Sequence, residues 1–97
     1  MGQTSSNRQP SLRNAVGSVL RAAREAKGLS QADLAARLQL FGWDIGRTTW
    51  TKIELGERTV SDCELIAVAE VLGISLDALA AKADRGAVRR VLRTLHR

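Results

Sequence analysis

Between Gly46 and Gly56 the chain reads Arg47-Thr48-Thr49-Trp50-Thr51-Lys52-Ile53-Glu54-Leu55, and a helix here, at about 100° per residue, sorts its side chains by chemistry. Trp50 and Ile53 point one way. Arg47, Thr48, Thr51 and Lys52 point the other, giving two long cations and two hydroxyls with no acid among them. Such groups can donate to guanine N7 and O6, hold a phosphate, or touch a thymine methyl. The positive N-terminal end of the helix adds attraction for a nearby phosphate. Physical grounds alone leave two readings open: a face that reads a DNA groove, and an ordinary solvated surface.

The charge distribution suits an anionic partner. Fifteen Lys and Arg stand against ten Asp and Glu, a net charge of +5. Arg85, Arg89, Arg90, Arg93 and Arg97, with no acid beyond Asp84, account for the whole excess. Cations of this kind displace counterions from phosphates, so double-stranded DNA fits; the alternative is a solvated basic tail that aids solubility. Other chemistry is poorly served. There is no Tyr, the one His is His96 at the end of the chain, and no spaced carboxylate set or Gly-rich phosphate loop appears. This argues against an enzyme and against a cofactor.

Cys63 stands alone, so no intramolecular disulfide and no zinc or other metal site is expected, and the default compartment is reducing. It reads as a small half-buried residue, with a redox sensor as the alternative. No apolar run approaches the roughly 20 residues of a membrane span, and the N-terminus lacks the apolar core of a secretory signal, so a soluble cytoplasmic protein is expected. Met1, Gly2 and Ser6 fit the short N-myristoylation pattern, which also arises by chance.

These residues need a scaffold, and 97 residues with 44% hydrophobic content supply one compact domain. Leu and Ala dominate, aromatics are 3%, and no segment alternates as a strand would, so the expected class is all-α with five or six helices. Residues 1–11 are polar and read as a flexible arm in which Arg8 could reach DNA. From Leu12, the residues Val16, Val19, Leu20 and Ala23 continue one helical face, which Gly28 ends. Ser30, with Asp33 in place of the usual Glu, starts a second helix striped by Leu34, Ala35, Leu38 and Phe41 and closed by Gly42.

A turn at Trp43-Asp44-Ile45 carries two apolar residues able to pin it, and the third helix follows from Arg47 to Leu55. Ser61 and Glu64 form a capping box for a fourth helix striped by Leu65, Ile66, Val68, Ala69 and Leu72. Ser75 caps a fifth containing Leu76 and Leu79. Within residues 82–97, beyond the domain expected at 12–81, Val88, Val91, Leu92 and Leu95 repeat at i, i+3, i+4 and i+7 in a sixth, basic helix.

Two stretches carry a family resemblance: Leu29-Ser30-Gln31-Ala32-Asp33-Leu34-Ala35, and Thr48-Thr49-Trp50-Thr51-Lys52-Ile53-Glu54-Leu55-Gly56-Glu57-Arg58. With the tail Leu65 to Leu79, they resemble the Cro/C1-type (XRE) helix-turn-helix family over about residues 16 to 80. The resemblance implies a lambda-repressor-like bundle with an additional C-terminal helix. It places Arg47, Thr48 and Lys52 on base-reading positions and Thr51 on a neighbouring contact position. Gln31 falls where the family grips a phosphate, and Arg58 in a segment that faces the DNA backbone. Arg24 and Glu54 match positions that pair in some members, a structural tie between the first and third helices.

The chain departs from the pattern twice. Leu38 to Trp50 is about five residues longer than usual, which implies a second helix extended by roughly a turn. Trp50 occupies a position usually held by Ile or Val, where an indole facing apolar neighbours reads as core. Trp43 reads as core packing or as a contact with a partner or DNA backbone. The seam of the sixth helix has two outlets, its own domain or a second subunit. The second is favoured, because readers of this kind work as symmetric dimers on two half-sites. The expected function is a sequence-specific regulator, a repressor binding an inverted repeat as a homodimer. The alternative is an antitoxin or adaptor holding a protein partner through the last helix.

Overall fold

The structure, a computed structural model, describes residues 12–95. Six helices follow one another: α1 (Gly17–Ala26), α2 (Gln31–Phe41), α3 (Arg47–Glu54), α4 (Asp62–Leu72), α5 (Leu76–Lys82) and α6 (Arg85–Leu95). There is no strand among the described residues, and the fold is an all-α helix-turn-helix bundle. The flexible arm, the lipidation pattern at Gly2, Arg8 and His96 lie outside the described residues.

Local chemistry sets the boundaries. Ser30 and Asp33 form a reciprocal capping box on α2, at 3.0 Å in both directions, so the shorter Asp serves as well as Glu. Ser61 and Glu64 do the same on α4, and the Ser75 hydroxyl accepts from the Ala78 amide on α5. Gly42 ends α2 at φ +123, a conformation open to a residue without a Cβ. α2 packs on α3 and α4, and α1 on α3 and α5. Leu20, Leu34, Leu38, Trp50, Ile53, Val68 and Leu72 are fully buried between them. Ile45 is buried and Trp43 half-buried, so both apolar residues pin the turn, and Gln39 Nε2 donates to the Ile45 carbonyl at 2.7 Å.

Several sequence expectations need correction. α1 begins at Gly17 and not near Leu12, because Asn14 intervenes: its Oδ1 accepts from the amides of Val16 (3.0 Å) and Gly17 (2.8 Å). Gly17 then approaches α3 so closely that a Cβ there would lie 2.4 Å from the Ile53 carbonyl oxygen. Phe41 is 52% exposed, and Ile45 occupies the core at that end of α2. In α4 the buried stripe centres on Val68 and Leu72; Ile66, about 200° round the helix from Val68, is exposed, and Ala67 is buried instead. Leu76, in the first turn of α5, is exposed while Leu79 is buried. Cys63 is exposed rather than half-buried.

The seam of α6 is divided. Ala87 and Val91, one turn apart, are buried against the chain's own domain, and the small Ala87 lets α6 sit beside Leu12, Ala15 and Ser18. Val88 is half-buried, whereas Leu92 and Leu95 are each 50% exposed.

Candidate nucleic-acid interface

The site is built on α3, whose two faces differ as the helical geometry requires. Trp50 and Ile53 are fully buried; Arg47, Thr48 and Lys52 are exposed, and Thr51 lies at the boundary. Arg47 and Lys52 enter no ion pair among the described residues. No side chain caps the first turn of α3 and no acid lies in it, so amide hydrogens and cations face outward together. That combination is suited to an anion such as a phosphate-bearing backbone.

Behind this face lies a buried carboxylate. Glu54, 8% exposed, receives Arg24 Nε (2.6 Å) and Trp50 Nε1 (2.5 Å) on Oε2. Its Oε1 receives Arg24 Nη2 (3.2 Å) and Gln31 Nε2 (2.9 Å). Arg24 also donates to the Leu29 carbonyl at 2.7 Å, so one guanidinium ties α1 to the loop before α2 and to α3. Burial pushes the Glu54 carboxyl up, but the hydrogen bonds from Arg24, Gln31 and Trp50 outweigh it and hold the group below its ordinary range. The Glu54 hydrogen bond raises Arg24 in turn. Both groups stay charged, each compensating the burial of the other.

The network reaches the open face of α3. Gln31 Oε1 accepts from the Thr51 hydroxyl at 2.9 Å, and that hydroxyl also lies 3.0 Å from the Arg47 carbonyl. The structure thus joins Arg24, Gln31, Thr51 and Glu54, while Arg47, Thr48 and Lys52 share the open side. Arg58 sits apart. Its guanidinium grips Glu64 through two bonds (2.9 and 3.0 Å), donates to the Thr59 carbonyl, and lies 5.9 Å from the Trp43 ring centroid. Val88, Val91, Leu92 and Leu95 belong to α6 and take no part in this network.

Two contributors escape a reading of helical faces. The Trp50 indole N–H is a ligand of Glu54, although its ring reads only as core; the i, i+4 spacing of Trp50 and Glu54 is the signal that could have revealed it. Asn14, 7% exposed, donates from Nδ2 to the carbonyls of Ile53 (3.1 Å) and Arg58 (2.8 Å) while its oxygen caps α1. It clamps the last turn of α3 to Arg58 in the loop beyond. A cap-forming residue three positions before Gly17 was the available sign.

Among the described residues no helix is long and apolar enough to cross a membrane, and no three His, Cys, Asp or Glu cluster as metal ligands. No curated protein matches the chain. Two crystal structures of the clp gene regulator ClgR from Corynebacterium glutamicum are similar to it. One is 29% identical with a TM-score of 0.62, covering 74% of this chain and 86% of its own. The other is 25% identical with a TM-score of 0.67, covering 90% and 87%. A family model described as a helix-turn-helix domain matches residues 15–83, consistent with the Cro/C1-type resemblance. That match takes in all of α1 to α5 and every residue of the α3 face, and the chain belongs to the helix-turn-helix domain family.

Proposed function

We propose that this protein is a sequence-specific DNA-binding transcription regulator of the Cro/C1 type, and not an enzyme. α3 enters the major groove, where Arg47, Thr48 and Lys52 meet base edges and Thr51 makes a neighbouring contact. Gln31 keeps one amide hydrogen beyond its bond to Glu54, and that hydrogen meets a phosphate. The backbone around Arg58 meets another, setting register. The observation that carries the reading is the open face of α3: two cations with no ion-pair partner among the described residues, and a hydroxyl held in place from behind by a buried, fully bonded carboxylate. The similarity to the clp gene regulator ClgR supports the same class.

The finer reading is a cytoplasmic homodimer on an inverted repeat, repressing by occlusion. Leu92 and Leu95, half-exposed on a helix crowded with arginines, support a subunit contact there. The same two residues are what favours the second reading, an antitoxin or adaptor that holds a protein partner on α6.

Binding-site selection from a random duplex pool, followed by anisotropy with the selected site, tests the DNA reading. Arg47→Ala and Lys52→Ala are expected to weaken binding at least tenfold each at constant salt, with folding unchanged because both side chains are exposed. Unchanged affinity in both variants would refute the assignment of α3 as reader. Light scattering on the wild type and on Leu92→Glu/Leu95→Glu separates dimer from monomer.

A further inference from the structure

The buried carboxylate settles a question of proton direction at the reading face. Glu54 is ionised and accepts only, and beside it the Gln31 amide lies 2.9 Å from Oε1, which Arg24 also reaches. The Gln31 amide must therefore present its nitrogen to Glu54; the reverse orientation would set an amide oxygen against a carboxylate. With the nitrogen placed, the amide oxygen faces Thr51, 2.9 Å from its hydroxyl. The other group beside that hydroxyl is the Arg47 carbonyl, at 3.0 Å, which also only accepts. A hydroxyl owns one hydrogen, and both inward neighbours demand it. What remains on the outer side of Thr51 is lone pair and methyl.

Thr48 differs. Its hydroxyl is exposed and has no hydrogen-bond partner among the described residues, so it can donate as well as accept. The two hydroxyls of the face are not equivalent, although residue type alone makes them so.

Resting on the reading of α3 as a major-groove reader, we infer that Thr51 meets its base as a hydrogen-bond acceptor only. In the major groove guanine offers N7 and O6 and thymine offers O4, all acceptors, whereas adenine offers its N6 amine and cytosine its N4 amine. The polar partner of Thr51 is accordingly an exocyclic amine. Glu54 and Gln31 act as positioning residues for this selectivity: neither touches the base, yet together they orient the hydroxyl that does.

Base-pair identity cannot test this by itself, because every pair carries both an amine and a keto oxygen. The test deletes single groups. Sites are selected with wild type and with Thr51→Val, which keeps the shape and the methyl but removes the acceptor; Thr51→Ser, which keeps the hydroxyl, is the control. At the pair whose preference Thr51→Val relaxes, the amine is removed by placing purine for adenine or 2-pyrimidinone for cytosine. Amine removal is expected to weaken wild type and Thr51→Ser about tenfold, the lower range for one base contact. It should leave Thr51→Val unaffected. Sensitivity instead to loss of a keto oxygen or of N7, or a Thr51→Val site pattern identical to wild type, overturns the inference while the regulator reading stands. A wild type that selects no site removes the reading itself and the inference with it.

Discussion

Gly17→Ala sets two physical effects of opposite sign against each other. Alanine is the better helix former by about 1 kcal/mol in a helix interior, and by less at this position, the first residue of α1. Against this, the new Cβ would lie 2.4 Å from the Ile53 carbonyl oxygen and 2.7 Å from that of Glu54. Both are backbone atoms at the end of α3, with no flexible side chain to swing aside. Clearing them requires α1 and α3 to separate by at least about 0.6 Å, and overpacking of this kind costs about 1–3 kcal/mol. The separation also pulls on Ile53 O, which accepts from Asn14 Nδ2 at 3.1 Å and from the Gly56 amide at 3.0 Å; one weakened hydrogen bond adds about 1 kcal/mol. Steric and hydrogen-bond losses outweigh propensity, leaving a destabilisation of about 2 kcal/mol, or about 8–16 °C in Tm for a domain of this size. Thermal unfolding by circular dichroism measures it. Gly86→Ala is the control: its Cβ would meet the side-chain carboxylate of Asp84 at 3.3 Å, and that variant should lie within about 1 kcal/mol of wild type. A Gly17→Ala protein as stable as wild type would refute the close approach of α1 to α3.

Glu54→Ala leaves the Arg24 guanidinium and the Trp50 indole N–H without their common acceptor, and Arg24→Ala leaves a buried carboxylate without its cation. Each is expected to cost about 3–5 kcal/mol, read by urea unfolding. A loss below about 1 kcal/mol in both would mean that the pair is solvated rather than buried. The pH dependence follows from the carboxylates. Glu54 and Glu64 both sit below the ordinary value of 4.5 in the folded state, Glu64 chiefly through its hydrogen bond from Arg58. A lowered folded-state value contributes stability above the unfolded value that is lost as protons bind; stability is expected to hold above about pH 4.5 and to fall progressively below it. Glu64→Gln should flatten that fall, and a wild type whose urea midpoint rises on acidification would contradict the assignment.

Much of this molecule was legible because its signals are local. Ser30, Ser61 and Ser75 are caps whose partners lie three residues away, so the starts of α2, α4 and α5 follow from short stretches of chain. The division of α3 into a buried and an open face is equally local, needing only the helical period. What escaped reading depends on partners distant in sequence. Asn14 stops α1 from starting earlier because its Nδ2 finds the carbonyls of Ile53 and Arg58, 39 and 44 residues away. Leu92 and Leu95 continue the apolar period of α6, but the domain covers Ala87 and Val91 fully and Val88 in part, and periodicity carries no information about which part of a stripe finds a partner. Gln31 and Thr51 look like two independent contact residues until the Thr51 hydroxyl, 20 residues away, donates to a Gln31 amide that Glu54 holds from behind.

α3 spans eight residues, well below the roughly 12–15 at which an isolated helix becomes marginal in water, so its position is set by what it packs against. The strongest attachments gather from Trp50 onward: the Trp50 and Ile53 side chains in the core, the four hydrogen bonds on Glu54, the Gly17 contact at the carbonyls of Ile53 and Glu54, and Asn14 on Ile53. Arg47 and Thr48, in the first turn, have none of these. The segment before α3 therefore enters at its less attached end, where the buried Ile45 and half-buried Trp43 tie the turn to the core before the chain reaches Arg47. Extra residues there can redirect the approach to α3 without disturbing the anchors beyond Trp50. An insertion of the same length between Glu54 and Arg58 would break the Asn14 clamp and displace the carbonyls on which Gly17 closes. Of the two ends of α3, the N-terminal one is thus where additional length leaves the buried network intact.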